Sequence, residues 1–153
     1  MKIIRALIFL SILINSSYAK AEFSVEESTQ CYAIGAVYGM SLKLMSDHLR
    51  KNLEEITYDD QVEFKKMDSE LPKTLSLVAN FTKDLRKQGI SKLVKSGKNI
   101  SEANSLFESK ANTFKDKQLI FDKKISLSQY NQSLEDLFND CLGKFKKELR
   151  KNY

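Results

Sequence analysis

The chain has 153 residues, 25 lysines and arginines against 20 acids, a formal charge of +5, one histidine, two cysteines and one proline. That length holds one ordinary hydrophobic core and is too short for two. A lone histidine without a Cys-x-x-Cys or a Glu-x-x-His motif excludes multi-histidine metal sites, di-iron carboxylate bundles and Cys-x-x-Cys-His haem attachment.

The first element predicted is a cleavable secretory signal peptide over residues 1–21. Lys2 and Arg5 give a positive start, Ala6 to Ile14 are apolar apart from Ser11, and Ala19-Lys20-Ala21 places small residues where signal cleavage needs them. The apolar stretch is about half of the roughly 20 residues needed to span a bilayer. Cleavage after Ala21 leaves residues 22–153 as a single helical domain in a periplasmic or secreted setting. It also removes Lys2, Arg5 and Lys20, lowering the formal charge from +5 to +2, so net charge gives no case for nucleic acid.

Ser24-Val25-Glu26-Glu27 is a capping box that opens a helix predicted over 25–53, with Cys31, Ile34, Tyr38, Leu42, Met45 and Leu49 as its core stripe. Cys31 to Leu42 is almost free of strongly polar side chains and holds Gly35 and Gly39 in GxxxG spacing. This predicts a central helix touched nearly all round by its neighbours, in preference to a partner-binding groove. His48, on the same helix, is expected to be partly buried.

Thr57 followed by Asp59 and Asp60 suits the start of a second helix. Its apolar series Phe64, Met67, Leu71, Leu75, Val78, Phe81 and Leu85 keeps phase through Pro72. One helix over 58–88, kinked at Pro72, is predicted, with two helices broken at Leu71-Pro72 as the alternative. Arg86, Lys87 and Gly89 look like its end, leaving 91–100 as a connection. Ser101 or Asn99 then caps a third helix to about 124, with Phe107, Ala111, Phe114, Gln118, Phe121 and Ile125 in four-three alternation. Ser126 with Gln129 forms another capping box, and Tyr130, Leu134, Leu137, Cys141, Phe145 and Leu149 are expected to line the last helix. Four helices of similar length with short connections predict an all-α, up-down-up-down four-helix bundle. Cys31 and Cys141 fall at matched heights on the first and last helices, so a disulfide between them is expected in an oxidising compartment.

The charge is unevenly placed. Glu54 to Glu70 holds seven acids against Lys65 and Lys66, whereas Lys83 to Lys98 holds six bases against Asp84. The chain end adds Lys144, Lys146, Lys147, Arg150 and Lys151 against Glu148. In an up-down bundle both basic blocks gather at one pole. The candidate partner-binding residues are therefore Lys83, Arg86, Lys87, Lys92, Lys95, Lys98, Lys144, Lys147, Arg150 and Lys151. The bland account is that cations favour helix C-termini. The sharper one is a surface recognising an acidic protein or an anionic lipid. No catalytic constellation, cofactor, metal or small-molecule substrate is implied. These features point to a non-enzymatic envelope protein acting on a protein partner as an inhibitor, immunity factor, chaperone or assembly accessory. A helical carrier of a lipid or other apolar ligand is the alternative.

Overall fold

The computed structural model describes residues 23–55, 57–122 and 124–151, with side chains as far as Lys144. The predicted signal peptide and its expected cleavage site lie outside the described residues. Four helices follow in order: α1 Val25–Lys51, α2 Tyr58–Lys95, α3 Ile100–Gln118 and α4 Leu127–Lys151, with a short 3-10 helix Leu53–Glu55 between the first two. Among the described residues there is no strand. The fold is an up-down four-helix bundle in which α1 packs against each of the other three helices. The helices are not of similar length, as expected from sequence, but have 27, 38, 19 and 25 residues.

The central position of α1 follows from its small side chains. Ser28, Thr29, Ala33, Gly35, Ser41 and Ser46 are buried along with Cys31, Ile34, Tyr38 and Leu42, so the helix is covered on several faces. A Cβ at Gly35 would meet Thr82 of α2 and Phe138 of α4, and one at Gly39 would touch Val78 and Leu75 of α2. The GxxxG spacing thus serves close helix approach inside the bundle. The capping box forms as expected: the Ser24 hydroxyl accepts from the Glu27 amide, and Glu27 accepts from the Ser24 amide. Phe23, just before the cap, is buried in the core. His48 is not partly buried but exposed, beside the Asn52 side chain.

α2 begins on the Thr57 cap and is not broken at Leu71-Pro72. Pro72 is exposed, so water can replace the amide donor that the Asp68 carbonyl loses. The predicted end at Gly89 is corrected: α2 continues to Lys95. Gly89 is needed for space, because a Cβ there would run into the Phe107 ring of α3 and crowd Ser28 of α1. The glycine that stops the helix is Gly97, at φ +96°. Its amide donates to the Val94 carbonyl and that of Lys98 to the Leu93 carbonyl, the paired bonds of a Schellman motif. The segment 91–95, expected as connection, is therefore the last turn and more of α2.

The third helix is shorter than the predicted span to about 124. Asn99, one of the two caps considered, forms a capping box with Glu102. The helix ends at Gln118 because Leu119 turns inward and is buried, while its carbonyl accepts the Tyr130 hydroxyl at 2.6 Å. Gln118 and Phe121 consequently lie outside the core stripe that their spacing suggested, and both are exposed. At the start of α4 the Ser126–Gln129 box forms as expected.

α4 is rotated from its expected face. Leu134 and Cys141 are buried, but Leu137 is exposed and Phe138 and Glu135 are buried in its place. Two long-range contacts fix that rotation: the Ser41 hydroxyl bonds the Asn131 carboxamide, and Cys31 is joined to Cys141 with 5.8 Å between Cα atoms. The disulfide predicted from matched heights is present. The core is built around Tyr38, Leu85, Phe107, Leu134 and Phe138, all nearly sealed from solvent. Phe138 stacks obliquely on Tyr38 and meets Phe81 edge-on, with ring centroids 5.3 and 5.5 Å apart.

Candidate functional site: a basic pole and the cleft beside it

Alternating chain direction brings the start of α1, the end of α2, the start of α3 and the end of α4 to one pole. Ser28 lies against Gly89, and Tyr32 meets Phe107 edge-on at 5.3 Å. Leu93, Ala103 and Phe107 form a small core there, packed by Val25, Tyr32 and Ile90. This apolar plug holds the ends of α1, α2 and α3 in register, and the Cys31–Cys141 disulfide ties α4 to α1.

Lys92, Lys95 and Lys98 surround the Gly97 turn, and the latter two are exposed, as is Lys144 on α4. Glu27 lies between the two basic elements. Its carboxyl is held below the usual range by the Ser24 backbone and hydroxyl bonds of the capping box, helped by the positive charges of Lys144 and Lys92. One acid of α1 therefore offsets part of the pole, as the acidic start of that helix implies.

The remaining candidate residues are placed differently. Lys83 and Lys87 are exposed further along α2, away from the turn. Arg86 is engaged within the fold: its Nε donates to Glu108 at 2.8 Å and its Nη2 to Asn104 at 2.9 Å, tying α2 to α3. Lys147 and Arg150 continue α4 beyond Lys144, and Lys151 ends it; their side chains lie outside the described residues.

Sequence reasoning missed a cleft beside this pole. A surface depression of about 500 Å³ opens between α1, α3 and α4, with Ile34, Phe114, Leu137 and the disulfide in its wall and Glu27, Gln30, Asp140 and Lys144 around it. Assigning Leu137 to the core hid it. The signal was the neighbouring Phe138, which sits three residues before Cys141 and four after Leu134 and competes for the inward face.

A second feature went unread because it is a buried acid. Glu135 is almost fully buried, and one of its carboxylate oxygens has no hydrogen-bond partner; the buried Tyr38 hydroxyl has none either. Burial pushes the Glu135 carboxyl upward, with Asp136 adding to the shift, and burial together with Glu135 pushes the Tyr38 phenol up. The pair lies where α4 meets α1, not in the cleft.

Among the described residues no three His, Cys, Asp or Glu side chains gather as a metal site, and no helix is long and apolar enough to cross a membrane. No protein-family model matches the chain, and comparison with curated proteins and with solved structures finds no similar protein.

Proposed function

We propose that this is an exported, non-enzymatic binding protein of the cell envelope that engages a protein partner through its basic pole, as an inhibitor, immunity factor, chaperone or assembly accessory. The observation that carries the reading is the gathering of Lys92, Lys95 and Lys98 on a helix end packed by the Leu93–Ala103–Phe107 plug, with Lys144 on α4, which the disulfide ties to α1, next to an open cleft with an apolar wall. Charge at the rim of such a surface governs encounter and selectivity, and an apolar recess accepts an anchoring side chain. Export rests on the N-terminal signal pattern and accords with the disulfide. The alternative, a carrier that opens its core for a lipid, has less support: the central aromatic rings are in mutual contact, and the glycine faces are filled by Thr82, Phe138 and Phe107.

The test is charge reversal of Lys92, Lys95, Lys98 and Lys144 to Glu in protein taken from a periplasmic extract, where its N-terminal residue is expected to be Glu22. The wild type is used to capture partners from envelope extract at low salt and is eluted with a salt gradient. The reversed protein should lose specific partners and keep its far-ultraviolet circular dichroism, because exposed charges contribute little to stability. If it captures the same proteins and releases them at the same salt, the pole is only a set of solvated helix ends.

A further inference from the structure

We propose that the basic pole receives the acidic tip of a second copy of this chain, so that copies associate head to tail. The inference rests on the basic pole being a binding surface and names its partner. The two surfaces are the two ends of one helix. Around the start of α2, residues 54–63 hold Glu54, Glu55, Asp59, Asp60 and Glu63 with no base; around its end, residues 92–98 hold Lys92, Lys95 and Lys98 with no acid.

Within one molecule these blocks cannot neutralise each other. α2 has 38 residues without a break, so its ends are roughly 57 Å apart at 1.5 Å per residue. That is several times the Debye length of about 8 Å at physiological ionic strength. Arg50, near the end of α1, is engaged within its own molecule, held by Asp68 at 2.7 Å and near Asp47.

Acids at helix starts and bases at helix ends are favoured by the helix dipole alone, so charge is only half of the case. The other half is apolar. At the acidic tip Tyr58 and Val62, one turn apart on α2, are 78% and 52% exposed. At the basic pole Val94 and Ile100 flank the Gly97 turn at 38% and 70% exposed. Each end therefore offers exposed apolar side chains beside a block of charge, predominantly acidic at the tip and predominantly basic at the pole despite Glu27 and Glu102, the arrangement of a contact core with a complementary rim. Because the two surfaces differ, the contact is heterologous and does not close on itself in a dimer; it adds copies in a row.

Sedimentation equilibrium on the purified, disulfide-bonded protein tests this at low and high salt, where the Debye length is about 30 Å and about 3 Å respectively. At low salt the weight-average mass should exceed that of the monomer by about twofold or more and keep rising with concentration; at high salt it should return to the monomer. The tip-reversed protein (Glu54→Lys, Glu55→Lys, Asp59→Lys) and the pole-reversed protein described above should each stay monomeric at low salt. Mixed together they should associate again, since each then offers the charge that the other needs. Circular dichroism of each variant guards against loss of fold. Two results overturn the inference: a wild type that is monomeric at both salts, or a dimer that stops growing with concentration and survives either reversal. If the wild type is monomeric while the pole-reversed protein still loses another envelope partner, this inference falls and the proposed function stands.

Discussion

The central helix α1 meets α2 and α4 through two different kinds of surface. Against α2 it is held by shape: Gly35 and Gly39 face Thr82, Val78 and Leu75, and Ser28 lies against Gly89. Against α4 it is held by chemistry: a disulfide near one end, the Ser41–Asn131 hydrogen bond further along, and between them the unpartnered Tyr38 hydroxyl and Glu135 carboxylate oxygen. The first surface has no room to spare; its polar groups are small hydroxyls, Ser46 donating to Asp68 and the buried Ser28 without a partner. The second buries ionisable groups at a larger cost and is tied by a covalent bond, so α4 is the helix that should loosen first.

The largest test of that difference removes the tie. Replacing Cys31 and Cys141 with Ser should lower unfolding free energy by roughly 2–5 kcal/mol, the range for native disulfides that close long loops. The sequence separation of 110 between the two cysteines places the effect toward the upper part of that range in the chain-entropy model. Hydrogen exchange locates the damage. Amides of α4 should gain exchange much more than those of α2 around Val78 to Leu85, and equal acceleration in both would erase the distinction between the two surfaces.

The second test addresses shape. Gly35→Ala and Gly89→Ala each place a methyl group against a packed side chain and should cost about 1–3 kcal/mol, net of the roughly 1 kcal/mol that alanine gains over glycine inside a helix. Gly143→Ala is the control, since a Cβ there meets nothing within 4 Å and should be neutral or stabilising by up to about 1 kcal/mol. Denaturant unfolding of the three variants checks the order, and a destabilised Gly143→Ala would show that helix context, not contact, dominates.

The same contrast explains how much of the molecule was legible in the sequence. Spacing identified α1, most of α2 and both cysteine positions, because apolar residues three and four apart leave few other ways to bury them. It failed where one residue type serves two purposes. Gly89 reads as a helix stop and is a packing notch, whereas Gly97, four residues after Leu93, is the stop. Leu137 and Phe138 are adjacent apolar residues, and only the tertiary contacts of Asn131 and Cys141 decide which one turns inward. Of the candidate site, the convergence of basic helix ends followed from topology. The engagement of Arg86 by Glu108 and the cleft beside the disulfide did not, since both depend on which α3 and α4 side chains arrive there.

The smallest expected effect belongs to Glu135 and is best seen in its pH dependence. Burial raises its carboxyl above the unfolded value, and the charge of Asp136 on its own helix adds to the shift. A carboxyl raised in the folded state binds its proton more tightly there than in the unfolded chain. Its contribution to stability is therefore present in acid, below the unfolded carboxylate range, and is lost as pH rises through the folded value. Glu27 and Asp68 act in the opposite sense. Glu27 is lowered by the Ser24 bonds, and Asp68 by the Ser46 hydroxyl and Arg50. Their contributions are present above the unfolded range and fade as pH falls through their folded values. The wild type should thus pass through a stability maximum in mild acid and decline toward neutrality. Glu135→Met, which removes the ionising group while keeping an unbranched side chain, should abolish the decline on the neutral side. It should raise unfolding free energy near neutral pH by about 1–2 kcal/mol, the usual penalty of a buried unpaired polar atom, with a smaller gain in acid. The acid side of the curve should be unchanged, because Glu27 and Asp68 remain. Urea unfolding of both proteins across pH 4 to 8 reads this directly. Parallel curves for the two proteins would mean that Glu135 is ionised and solvated in the folded state, and the contact between α1 and α4 would then be no weaker than that between α1 and α2.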